Sequence, residues 1–139
     1  MNIPDELGSE LEKELRYISD RIIGEDDLKR KVFFFSASSN VIRRIMSTYF
    51  DPQLALMDMV FDVSCNTISE RVENLTAEKD TTVELIDGFF EKLAESLTDL
   101  ADCIHAGKDS YKILEKIATQ ALTTTGAGYY LYTKGIIKV

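Results

Sequence analysis

Apolar residues recur along this chain at alternating steps of three and four. Between Val83 and Ile104 they fall at Ile86, Phe90, Leu93, Leu97, Leu100 and Ile104, which paints one stripe along an α-helix. Leu7, Leu11, Leu15, Ile18 and Ile22 make a second stripe, and Met57, Phe61, Ser64, Ile68, Val72 and Leu75 a third. Leu28, Val32, Phe35, Ile42, Ile45, Met46 and Tyr49 make a fourth. The rhythm predicts an all-α fold: an antiparallel up-and-down bundle of four main helices plus a fifth C-terminal helix or tail.

Local signals place the boundaries. The first helix runs from Pro4 or Ser9 to Ile23. Ser9 with Glu12 forms a capping-box pattern, and Gly24 is a C-terminal stop. The second runs from Asp26 to Tyr49. Its middle, Ser36-Ala37-Ser38-Ser39-Asn40, is a poor helix former, and Val32 to Phe35 also suits a short strand. A helix, kinked or broken there, is the favoured reading. Asp51-Pro52 marks the next start, because Asp caps and Pro suits the first turn. The third helix ends near Leu75. Thr81 with Glu84 opens the fourth, which ends near His105 and is closed by Gly107. The fifth begins at Asp109 or Ser110 and carries Leu114, Ile117, Ala121 and Leu122 on one side. The tail, residues 126–139, reads equally as a hairpin, an extended arm or more helix. The loops are short, so consecutive helices are expected to be antiparallel neighbours.

The charges are segregated. The predicted fourth helix has Asp80, Glu84, Asp87, Glu91, Glu95, Asp99 and Asp102 against Lys92 alone. The third has Asp51, Asp58, Asp62, Glu70 and Glu73 against Arg71. The second is basic through Lys29, Arg30, Lys31, Arg43 and Arg44. In an antiparallel hairpin of the third and fourth helices, Glu73 would fall near Glu84, with Asp87 one turn further. Carboxylates that converge in this way would suit Mg²⁺, which takes oxygen ligands.

The pattern Glu70-x-x-Glu73 followed by Glu84-x-x-Asp87 resembles the paired acidic motifs of the MazG-like all-α nucleoside triphosphate pyrophosphohydrolases. In that family four acids bind Mg²⁺ and the triphosphate. The resemblance implies Glu70, Glu73, Glu84 and Asp87 as metal ligands. It covers about eighteen residues, and Ser69 stands where the family's pattern has an acid. Acidic residues are also the usual covering of a solvated helix face, and that is the favoured reading.

Other candidates are aromatic or thiol-bearing. Phe33, Phe34 and Phe35 are adjacent, so on a helix they point in three directions. Either the helix is buried on every side, or part of the triplet forms a patch that docks a second subunit or a ligand. Tyr129, Tyr130 and Tyr132 form a second cluster, and Tyr is enriched at interfaces. Packing of the tail onto the bundle is the favoured reading of them. Cys103 and His105 stand two apart and do not share a helix face. No Cys-x-x-Cys pair or second histidine completes a zinc site. Cys65 and Cys103 read as small core residues, and His105 as a helix-end histidine favoured by the dipole.

Bulk composition narrows the class. The 139 residues suit one domain, 1–139, with 45% apolar and 29% charged residues. The net charge of -8 argues against nucleic acid and against an anionic membrane surface as partners. The opening MNIPDELGSELEKEL is acidic and has no apolar signal region, and no segment reaches membrane-span length. A cytoplasmic protein with reduced thiols is expected. With no catalytic motif, the favoured function is a non-enzymatic interaction or structural module. It would act as a homodimer, with Phe33, Phe34, Tyr129, Tyr130 and Tyr132 at interfaces and no cofactor. A Mg²⁺-dependent nucleotide hydrolase is the alternative.

Overall fold

A computed structural model describes residues 5–46, 53–73 and 81–125. They form five α-helices: α1 (Asp5–Ile23), α2 (Leu28–Met46), α3 (Gln53–Glu73), α4 (Thr81–His105) and α5 (Tyr111–Thr125). No strand occurs among the described residues. The tail 126–139, with Tyr129, Tyr130 and Tyr132, lies outside them.

The stripes become the core. Leu11, Leu15, Ile18 and Ile22 of α1 are buried, as are Phe61, Ile68 and Val72 of α3. Ile86, Phe90, Leu93, Leu97 and Leu100 of α4 pack with them, and Leu114, Ile117 and Ala121 come in from α5. Each such side chain contributes roughly 1.5–3 kcal/mol relative to exposure. Burial on α4 is wider than its stripe, since Phe89, Ala94, Ser96 and Ala101 are covered too. Its neighbours explain this, because α4 packs along α1 and against α5, and also touches α2.

The first helix already runs at Asp5, in line with the earlier of its two expected starts, so Ser9 and Glu12 lie inside α1 and do not open it. α2 runs unbroken through Ser36 to Asn40. There the hydroxyls of Ser38 and Ser39 both donate to the Phe35 carbonyl, at 2.7 and 3.1 Å. Burial of that face outweighs weak propensity, since Ser38, Ser39, Val41 and Ile42 are all covered. At the end of α4, Gly107 takes φ +68°. Its N–H bonds the Ile104 carbonyl and that of Lys108 bonds Cys103. This is the Schellman closure that favours glycine.

The order in space departs from expectation. Contacts close a ring: α1, α2, α3, α5, α4 and back to α1. Glu12, Arg16 and Ser19 of α1 meet His105, Asp102 and Thr98 of α4 in turn, so these helices run antiparallel. α2 is antiparallel to α1, through Glu14–Arg44 and Arg21–Phe34. It is antiparallel to α3 through Arg43–Asp58 and Ser39–Cys65. Among the described residues α3 and α4 do not pack side by side as the expected hairpin would have them. α5 is no appendage, because it closes the ring between them.

Ion pairs accompany this order. α3 and α4 both carry acidic flanks, and the basic α2 reaches an acid on each. Arg43 pairs with Asp58 and Asp62 of α3, and Lys31 pairs with Asp87 of α4.

Candidate functional site

The acidic quartet does not assemble among the described residues. Glu70 is exposed on α3, and Glu84 is exposed in the first turn of α4. Asp87 Oδ1 lies 3.1 Å from Lys31 Nζ, a half-buried ammonium that already neutralises it. The side chain of Glu73 lies outside the described residues. No group of three or more His, Cys, Asp or Glu among those described is arranged to hold a metal ion.

The thiols and the histidine take structural places. Cys65 and Cys103 are free and half-buried. Cys65 Sγ lies 3.4 Å from Ser39 Oγ. Burial pushes its pKa up, opposed by the Ser39 hydrogen bond and the nearby Arg43 charge. His105 ends α4, exposed, with Nδ1 2.7 Å from Glu12 Oε1.

The phenylalanine triplet divides its roles. Phe35 is fully buried and meets Phe89 and Phe90 edge-on, with ring centroids 5.1 and 6.3 Å away. Phe34 is 9% exposed and packs edge-on against Phe33 at 5.4 Å. Phe33 itself is 67% exposed. The helix is therefore not buried on every side: one turn carries a covered Phe35 and an exposed Phe33.

Phe33 stands on the lip of a groove of about 340 Å³ between α1 and α2. Ile18, Phe34 and Val41 form its buried floor, with Ala37 half-covered. Tyr17, 61% exposed, lines it from α1. Asn40 and the Glu14–Arg44 ion pair complete the lining. Arg21 lies 5.5 Å over the Phe34 ring, a cation–π contact.

Among the described residues the exposed large apolar side chains are Tyr17, Ile23, Phe33 and Met59. Two of these, Tyr17 and Phe33, border the groove. A single exposed apolar residue is ordinary, whereas exposed aromatics beside a concave apolar floor are a common feature of interaction surfaces in general. Sequence reading found Phe33 and Phe34. It missed Tyr17, Ala37, Val41 and Arg44. The short Gly24–Asp27 connection was the available signal, because an α1–α2 hairpin brings residues of α1 such as Tyr17 to the same groove as Phe34.

Compared with known protein families, with curated proteins and with solved structures, the chain matches none. No helix among the described residues is long and apolar enough to cross a membrane.

Proposed function

We propose that this chain is a non-enzymatic interaction module whose working surface is the α1/α2 groove. The carrying observation is the pair Tyr17 and Phe33. Both stand largely in solvent on either side of a floor that is almost entirely apolar. Keeping two aromatic rings exposed does nothing for the fold. It gives a partner large, rigid contact area at small entropic cost. The groove also lacks the means for chemistry. Its ionisable residues, Glu14 and Arg44, neutralise each other, and no nucleophile or metal-ligand cluster is aimed into it. The module uses no cofactor on this reading.

The test uses an anilinonaphthalene sulfonate dye, whose fluorescence rises in apolar clefts. At chain concentrations too low for self-association, where the groove stands open, the wild type is expected to enhance it. Phe33→Asp and Tyr17→Asp should each remove most of the enhancement, and Met59→Asp should leave it. Equal enhancement in all four proteins would overturn the reading. So would a loss of stability in Phe33→Asp beyond about 0.5 kcal/mol, since that would make Phe33 part of the core.

A further inference from the structure

We infer that the occupant of the groove is a second copy of this chain, docked so that the two α2 helices cross antiparallel about a two-fold axis. This rests on the reading of the α1/α2 groove as an interaction surface, and it adds the partner and the geometry.

The first support is shape. The exposed stripe of α2 runs Lys29, Phe33, Ser36, Asn40 and Arg44, with Ala37 half-covered beside it. Its middle is small and its one large projection is Phe33. Projection and hollow lie one helical turn apart on one helix. An isologous contact uses such a surface twice. With the axis midway between Phe33 and Ala37, each Phe33 enters the other copy's groove above Ala37.

The second support is charge. Asp26 stands exposed just before α2, and Arg44 lies in its last turn at the far end of the groove. Both lie nine residues from the midpoint between Phe33 and Ala37. Antiparallel pairing therefore sets Asp26 of one copy opposite Arg44 of the other, twice. Arg44 already engages Glu14 and a further group, and a carboxylate from the second copy would join that charged cluster. Parallel pairing would instead set like charges together.

The third support is global. A chain of net charge -8 repels its own copies. α2 carries five cations and no acid between Leu28 and Met46. It offers two copies a contact face with little of the surplus negative charge that α4 presents.

Sedimentation equilibrium on the full chain tests the proposal. The wild type is expected to reach twice its 15.7 kDa mass at micromolar concentration. Phe33→Asp should weaken the dimer by more than about tenfold, and Met59→Asp should not. Asp26→Arg alone and Arg44→Asp alone should each be weakened. An equimolar mixture of those two variants should recover association, because both cross-pairs become complementary again. Weakening of each single variant followed by recovery in the mixture marks the antiparallel arrangement. In a parallel one the wild type already sets like charges together, and neither single variant would be the weaker. Circular dichroism of each variant separates lost docking from lost folding, and Asp26, exposed in a turn, is the substitution safest for the fold. A monomeric wild type would overturn the second-copy proposal. So would a dimer indifferent to Phe33→Asp, or a mixture that fails to recover. If the wild type is monomeric while Phe33→Asp still abolishes dye binding, the groove stands as an interaction surface and only this occupant falls.

Discussion

Lys31 on α2 and Asp87 on α4 form an ion pair with Nζ 3.1 Å from Oδ1, and that pair decides what Asp87 is for. The lysine is mostly covered by its neighbours, so removing the carboxylate leaves a poorly hydrated charge unpaired. Asp87→Asn is expected to destabilise the chain by about 1–2 kcal/mol in urea titration, less at high salt. A metal-site acid surrounded by like charge behaves in the opposite way, since neutralising it relieves repulsion. Mg²⁺ and Na⁺ at matched ionic strength should shift the melting curve alike. A Mg²⁺-specific rise in melting temperature that disappears in Glu84→Gln, together with Mg²⁺-dependent release of pyrophosphate from a nucleoside triphosphate, would restore the hydrolase reading.

Two buried serines should respond with opposite sign. Ser19 on α1 donates its hydroxyl to the Ala94 carbonyl at 2.7 Å and lies 3.0 Å from Thr98 Oγ1. It ties α1 to α4 where both backbones approach closely. Ser19→Ala is expected to cost about 1 kcal/mol. Ser96 is equally buried, but its hydroxyl finds no hydrogen-bond partner among the described residues. Ser96→Ala should be neutral or stabilising. Differential scanning calorimetry of the two variants checks the contrast, and equal destabilisation would contradict it.

Leu93 and Leu97 are fully buried on successive turns of α4, the helix with the widest burial. Truncating either to alanine should cost about 2–5 kcal/mol in chemical denaturation, the range for a buried cavity. A change below about 0.5 kcal/mol would place the stripe at the surface.

Cys65 sets a pH dependence. Burial raises its pKa in the fold, so the folded state holds its proton longer than the unfolded chain does. Its contribution is complete below the ordinary thiol pKa, about 8.5. It is lost as the pH rises above that value, because the unfolded thiol ionises first. The wild type should therefore lose stability over that alkaline range more steeply than Cys65→Ala. Parallel curves would refute the assignment.

The helices were legible because their signals are local. The stripes at Leu11 to Ile22 and Ile86 to Leu100 depend on the helical repeat alone, and they became core. The neighbours were not legible from loop length. The short link from α3 to α4 suggested a hairpin, and that expectation led Glu73, Glu84 and Asp87 to be placed together. Charge pointed elsewhere. α2, with Lys31 and Arg43 but no acid, pairs with an acid on each of α3 and α4. The site was half legible. Adjacent phenylalanines must diverge on a helix, but only the packing of α1 and α4 against α2 settles that Phe35 is covered and Phe33 is not. Tyr17 gave no local sign of its place at the groove, since the other lining residues reach it only across the α1–α2 seam.

The account rests on the α1/α2 groove as the surface this protein uses, and backbone amide NMR with increasing protein concentration tests it most directly. Perturbations are predicted to gather at Tyr17, Ile18, Phe33, Phe34, Ala37 and Asn40, and to vanish in Phe33→Asp. Perturbations centred on Met59 of α3 or on Glu91, Glu95 and Asp99 of α4, with the groove unmoved, would contradict it.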